Sequence, residues 1–352
     1  MKKIFQWTYI TPAIAWIFYL LVPTGTGFLV NFLATIALIG GVLSAVHHAE
    51  VVAHRVGEPY GTIILAVAVT LLEASIIVSL MLTGGEGADT YARDTLFAAV
   101  MLILNGILGI SMFVGAIKYK EQSFETKSVT IALVSLVSIL VLTLVLPNYT
   151  TSIAGPSYSA PQLIAIGICC LVIYGSFIFT QTIRHREYFV VGESGEEKAV
   201  SRSEAFISLG LLLVCLGIVI LLAKNLSPVI EGGVIAAGLP TALVGVAIAT
   251  VILLPEGISA IRAARRNQYQ TSINLALGSA LASIGLSIPT VAVVCTVMDL
   301  PLVLGLDMKS MMLLGLSVFT VMLSLNKGQT NGLYAMVLLI NLMMYIFTII
   351  FH

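Results

Sequence analysis

The sequence predicts an all-α polytopic membrane protein of about eleven transmembrane helices, an N-terminal helix followed by two inverted five-helix repeats. Three observations carry this. Apolar residues make up 59% of the 352 positions and charged residues 10%, against roughly 25% charged in a soluble domain. Mean hydropathy is +1.06. The apolar residues fall in runs of about 20, the length that crosses a hydrocarbon core of about 30 Å.

The runs lie at 7–22, 27–46, 60–82, 95–117, 129–146, 161–183, 205–223, 233–260, 271–296, 310–325 and 331–351. Lys2 and Lys3 could open a secretory leader, but Trp7, Trp16 and Tyr19 are bulky and no small-residue cleavage site follows, so a retained first helix is expected. The eighth and ninth runs are long enough to be tilted or broken. With the N-terminus in the cytoplasm, fourteen of the 17 Lys and Arg residues fall in cytoplasmic connections and three, Arg93, Lys224 and Lys309, fall outside. That asymmetry is the positive-inside pattern, and it puts the C-terminus outside. The expected organisation is an N-terminal helix (1–25), a first repeat (26–183), a charged cytoplasmic loop (184–204) and a second repeat (205–352). Five helices per repeat is an odd number, so the second repeat enters the membrane from the opposite side, as in inverted-repeat transporters with a midplane site.

Other classes find little support. Lys+Arg and Asp+Glu are equal at 17, so charge offers no argument for nucleic acid. The four cysteines (Cys169, Cys170, Cys215, Cys295) sit in apolar runs without metal-ligand spacing and read as packing residues. There is no phosphate-binding glycine loop and no nucleophile elbow, so neither ATP-driven pumping nor hydrolysis by a serine nucleophile is expected, and no cofactor is required.

Two carboxylates stand inside apolar sequence: Glu73 in "AVAVTLLEASIIVSLML" and Glu256 in "AIATVILLPEGISAIRAARR". Each lies on the second helix of its repeat, and each is roughly 14–15 Å from its helix exit at 1.5 Å per residue. An ionisable group at a helix centre costs about 2.5–3.5 kcal/mol to insert. Two at matching depth point to an ion pathway rather than to packing. Pro255 and Gly257 flank Glu256; proline frees carbonyls one turn back, and freed carbonyls are cation ligands in transporter helices. On the next helix of each repeat stand Asn105, in "LILNGILGISMFVGA", and Asn274, Ser279, Ser283 and Ser287, in "INLALGSALASIGLSIPT". Amide and hydroxyl oxygens suit a hard cation; small residues there also serve close helix packing.

At these residues the chain resembles the calcium/cation antiporter superfamily, in its proton-coupled exchanger branch. The stretches "VTLLEASIIVSL…RDTLFAAVMLILNGILG" and "LLPEGISAIRAARRNQYQTSINLALGSALASIGLSIP" look like its two α-repeats. The resemblance spans the whole chain. It implies a bacterial inner-membrane antiporter whose central ion and proton ligands are Glu73 and Glu256, with Asn105, Ser283 and Ser279 beside them. Many members carry Gly-Asn ahead of each glutamate, where this chain has Thr70-Leu71-Leu72 and Leu253-Leu254-Pro255. The transported cation is therefore left open among Ca2+, Na+ and K+, and the chain is compatible with a homo-oligomer.

Two ionised glutamates balance Ca2+; protons and cation then compete for the same oxygens, and the pair titrates jointly. A passive channel is a second reading, although lone acids in inverted repeats fit alternating access better than a ring or filter. A third is an intramembrane metal-dependent hydrolase, motivated by "AVHHAEVVAHRVGEPYG", where His47, Glu50 and His54 share one face at i, i+3 and i+7. That stretch also reads as a pH or metal sensor, or as a solvated interfacial turn, which is the favoured reading. Glu193, Glu196 and Glu197 in the charged loop are further candidates for Ca2+ or pH sensing.

Overall fold

A computed structural model describes residues 2–21, 27–57, 60–83, 87–189 and 200–351. Among these, the long elements are all helices: α1 (Lys2–Leu21), α2 (Phe28–Val56), α3 (Tyr60–Thr83), α4 (Tyr91–Tyr119), α5 (Thr126–Tyr149), α6 (Ala160–Arg184), α7 (Arg202–Ala236), α8 (Ala242–Arg265), α9 (Tyr269–Met298), α10 (Met308–Leu325) and α11 (Gly332–Ile350). Ten of them, α2 to α11, are long and apolar enough to cross a membrane, and α1 carries a shorter apolar stretch, Trp7–Leu21. A helix satisfies its own backbone hydrogen bonds, which is what lipid demands.

Three boundaries depart most from the sequence expectation. The helix expected to end at 46 continues as α2 to Val56. The polar run from His47 is not a turn: no glycine or proline interrupts it before Gly57, and His48 is buried, its Nε2 3.2 Å from the Thr8 carbonyl. The helix expected to end at 223 continues as α7 to Ala236, through the exposed Lys224 and through Pro228. At 35 residues it is about 52 Å long, longer than a hydrocarbon core needs. It stops at Gly238, whose φ of 68° lies in the left-handed region that glycine adopts at little cost. The next helix therefore starts at Ala242 rather than at 233.

The described residues form two compact units, Met1–Ala88 with Glu196–Val244, and Asp89–Gly195 with Gly245–His352. Each draws helices from both halves of the chain. The first consists of α1, α2, α3 and α7. Small residues let its helices approach: a side chain at Gly41 would meet Val219 at 3.0 Å, and one at Gly40 would meet Thr11 at 3.6 Å. Ser44 donates to the Thr8 carbonyl (2.6 Å) and Trp16 Nε1 to the Val214 carbonyl (3.1 Å), which ties α1 to α2 and α7.

In the second unit α4 is the most enclosed span, followed by α9. α4 packs on α11 where Gly106 and Gly109 face Leu342 and Leu339, and α9 packs on α6 where Gly285 faces the Tyr174 ring. α4 is not uniform. It is α-helical to Met101, π-helical over Leu102–Ile107, and α-helical again to Tyr119. At its far end, Lys118 Nζ and Tyr119 Oη donate to the Arg265 carbonyl (3.2 and 3.0 Å), and Gln122 Nε2 donates to the Ala264 carbonyl (2.9 Å). Lys118 and Tyr119 thus satisfy the Arg265 carbonyl at the end of α8, and Gln122 adds a second donor to the Ala264 carbonyl, which also accepts the Asn267 N–H at 3.1 Å.

Candidate cation site

Glu73 is 1% exposed on α3, in the first unit. It stands ten residues before the helix end at Thr83. One turn earlier, on the same face, Thr70 is buried and its Oγ1 has no hydrogen-bond partner among the described residues. Two turns further on, Ser79 Oγ is in the same condition. A buried hydroxyl left without a partner costs about 1–3 kcal/mol, so it is an oxygen waiting for a donor or a cation. Sequence reasoning passed over Thr70. The signal was present, as a hydroxyl three residues from an intramembrane acid.

The second unit contains Glu256, Asn105, Ser279 and Ser283. Glu256 lies on α8, nine residues before Arg265, with Oε2 withdrawn from solvent. Pro255 does not break α8, which is continuous from Ala242 to Arg265; it lacks the N–H that would bond the Val251 carbonyl. Two glycines set α8 against α4. A Cβ at Gly245 would meet the backbone of Asp94 and Thr95 at 3.0 Å, and one at Gly257 would meet the Ile107 side chain at 3.5 Å. The contact advances about as far along one helix as along the other, so α4 and α8 run side by side in the same direction. Glu256, next to Gly257, is therefore level with the Asn105–Ile107 turn.

Asn105 is fully buried within the π-helical turn. Its Nδ2 donates to Ser317 Oγ of α10 at 2.9 Å and reaches the Met101 carbonyl at 3.3 Å. Its Oδ1 is buried and accepts no hydrogen bond among the described residues. π-helical turns inside α-helices are frequent at functional sites, because the extra residue per turn re-aims side chains and loosens the ladder. Ser283 is buried on α9 and Ser279 is half-buried one turn before it; α9 packs directly against α4.

Other predicted residues go elsewhere. Asn274 has both ends of its amide engaged: Nδ2 donates to the Phe189 carbonyl (2.8 Å) and Oδ1 accepts from Gln270 Nε2 (2.9 Å). It holds α9 to the chain after α6 and offers no oxygen to an ion. His47, Glu50 and His54 lie along the last turns of α2, with His54 exposed and His47 against the Trp7 ring at 6.4 Å. Among the described residues no three His, Cys, Asp or Glu side chains group to hold a metal, which removes the geometric basis of the hydrolase reading. Glu193, Glu196 and Glu197 lie outside the described residues. Glu204, at the end of the charged stretch, closes a capping box with Ser201 at the start of α7, with bonds of 3.0 and 3.2 Å.

Among the described residues, ten apolar spans, with Glu73 buried on α3 and Glu256 half-buried on α8 with its Oε2 withdrawn from solvent, are the plan of a polytopic membrane protein with ionisable groups inside its helices. The comparisons agree. The sodium/calcium exchanger protein family matches residues 26–183 and 207–351. The putative ionic transporter y4hA of Sinorhizobium fredii is 46% identical over 299 residues, 84% of this chain and 82% of that protein. The sodium-potassium/proton antiporter ChaA of Escherichia coli is 30% identical over 312 residues, 86% of this chain and 84% of that protein. The structure of native YfkE shares the fold with a TM-score of 0.75 at 17% identity, covering 99% of each chain. The chain belongs to the sodium/calcium exchanger protein family, in the proton-coupled branch of the calcium/cation antiporter superfamily. It is an integral membrane cation/proton antiporter and not an enzyme.

Proposed function

We propose that the protein exchanges Ca2+ for protons by alternating access, with Glu73 and Glu256 as the groups for which cation and protons compete. The observation that carries this reading is a carboxylate at mid-helix on both α3 and α8, Glu73 buried and Glu256 half-buried with Oε2 out of solvent, where an unbalanced charge is expensive. Two carboxylates balance one divalent cation, and two protons balance the same pair. Either load leaves the site near neutral, and the empty, doubly charged site is disfavoured in a dry, occluded state. That difference couples the two fluxes. Thr70 and Asn105 add neutral oxygens of the kind Ca2+ takes, and Ser279 and Ser283 are the candidate oxygens of α9. Support for Ca2+ comes from YfkE, a Ca2+/H+ antiporter with the same fold.

A second reading, exchange of Na+ or K+ for protons, has its own support in the 30% identity to a sodium-potassium/proton antiporter. The reading places the protein in a bacterial inner membrane with its N-terminus in the cytoplasm, by the distribution of Lys and Arg. The test is flux in proteoliposomes of the full chain under an imposed pH gradient, with Ca2+, Na+ and K+ compared. Uphill Ca2+ movement driven by protons supports the first reading. Proton-driven Na+ or K+ movement with no Ca2+ movement replaces it by the second. Cation movement that follows only its own gradient overturns both.

A further inference from the structure

The geometry points to Ser317, on α10, as a positioning residue that fixes which end of the Asn105 amide meets the transported cation. The inference rests on the function proposed above.

An amide has a donor end and an acceptor end, and only the acceptor end can bind a cation. What surrounds Asn105 decides which end is turned where. Ser317 has one hydroxyl proton. Its Oγ donates to the Leu313 carbonyl one turn back at 2.8 Å, with Met101 Sδ as a weaker acceptor at 3.5 Å. With that proton committed, Ser317 can only accept from Asn105. On the same side lie the Met101 carbonyl at 3.3 Å and Met101 Sδ at 3.9 Å. All three neighbours are acceptors, so turning the amide over would set oxygen against oxygen and leave the NH2 without acceptors. The NH2 group is therefore held by α10 and by the first residue before the π-helical turn. Oδ1 is left as a fully buried acceptor with no donor, on the stretch of α4 that lies level with Glu256.

Unlike a carboxylate, an amide oxygen takes no proton near neutral pH. It can bind the cation and not the protons that compete with it. A residue acting through Asn105 should thus change cation affinity and leave the proton side of the exchange in place.

The experiment uses the purified full chain in detergent and in proteoliposomes. Apparent cation affinity is read from the rise in Tm with added Ca2+, Na+ and K+ in turn, for the parent, S317A, N105A and S317A/N105A. Exchange is then measured against cation concentration and pH. S317A is expected to weaken the apparent affinity for the cation that stabilises the parent by about three- to tenfold, the scale of one hydrogen bond. KM should rise by more than Vmax falls, and the pH of half-maximal exchange should not move. In the N105A background S317A should add nothing, because its effect runs through the amide. Should S317A fail to fold, S317C, which keeps the volume and replaces the hydroxyl by a poor acceptor, carries the same comparison. An unchanged affinity in S317A, an effect that adds to that of N105A, or a shifted pH profile overturns the inference alone. A parent that no cation stabilises overturns it together with the proposed function.

Discussion

Gly115, on α4, gives the sharpest test of how α8 is held. A Cβ built there would stand 1.8 Å from Oε1 and 2.8 Å from Cδ of Gln122, so G115A must displace that side chain. Gln122 is 3% exposed. Its Nε2 bonds the Ala264 carbonyl at 2.9 Å and Asn267 Oδ1 at 3.0 Å. Losing two such bonds costs about 0.5–1.5 kcal/mol each, while the Ala264 carbonyl keeps the Asn267 N–H at 3.1 Å. Against this, alanine gains up to about 1 kcal/mol over glycine in a helix interior. The net expectation is a destabilisation of up to about 3 kcal/mol. The assay is thermal and denaturant unfolding of the purified chain for G115A, Q122A and the double variant. Q122A should cost a similar amount through the same lost bonds. Once Gln122 is gone, the alanine at 115 meets no obstacle there and only the helix preference remains. G115A should therefore destabilise the parent and be neutral or slightly stabilising in the Q122A background. If G115A shifts stability equally in both backgrounds, the steric reasoning is wrong.

Further predictions follow from separate parts of the structure. G175A, on α6 where an added Cβ meets nothing within 4 Å, should leave stability unchanged or raise it by up to about 1 kcal/mol, in the same unfolding assay. S201A opens the capping box at the start of α7 and should cost about 1 kcal/mol, seen as faster amide exchange in the first turn of α7. Tyr158 lies in the connection between α5 and α6 and donates to the Leu142 carbonyl; burial first, and the Cys170 thiol second, push its phenol up to about 12. The folded state therefore holds this proton more tightly than the unfolded chain, with its ordinary value near 10. The contribution is complete below about pH 10 and is lost as pH rises toward 12. Y158F should flatten that part of the Tm–pH curve relative to the parent. T70V, which removes the unpartnered hydroxyl beside Glu73 while nearly keeping its volume, should weaken apparent cation affinity severalfold without lowering Tm.

The helices were legible because lipid enforces a simple rule, and the same rule marks Glu73, Glu256 and Asn105 as polar positions inside apolar helices. What escaped has physical reasons. The last turns of α2 look like an interface when read alone, because the Thr8 carbonyl that receives His48 is 40 residues away. Lys224 and Pro228 resemble a loop, yet α7 runs through them because the real stop is Gly238. The π-helical turn around Asn105 has no local signature: "LILNGI" is ordinary apolar helix sequence. Asn274 looked like a ligand for the same reason Asn105 did. Only its bonds to Phe189 and Gln270 separate a structural amide from one with an open oxygen. Ser317 was invisible, since serines are common in membrane helices and its importance lies in which way its single proton points.

The central claim is that protons leave the two glutamates when the cation arrives. Calorimetry of Ca2+ binding in two buffers with different ionisation heats counts the protons released. The account predicts release by the parent at a pH where the site is protonated, with fewer protons released by Glu73→Gln and by Glu256→Gln. Undiminished proton release in either variant, with Ca2+ still bound, would contradict it.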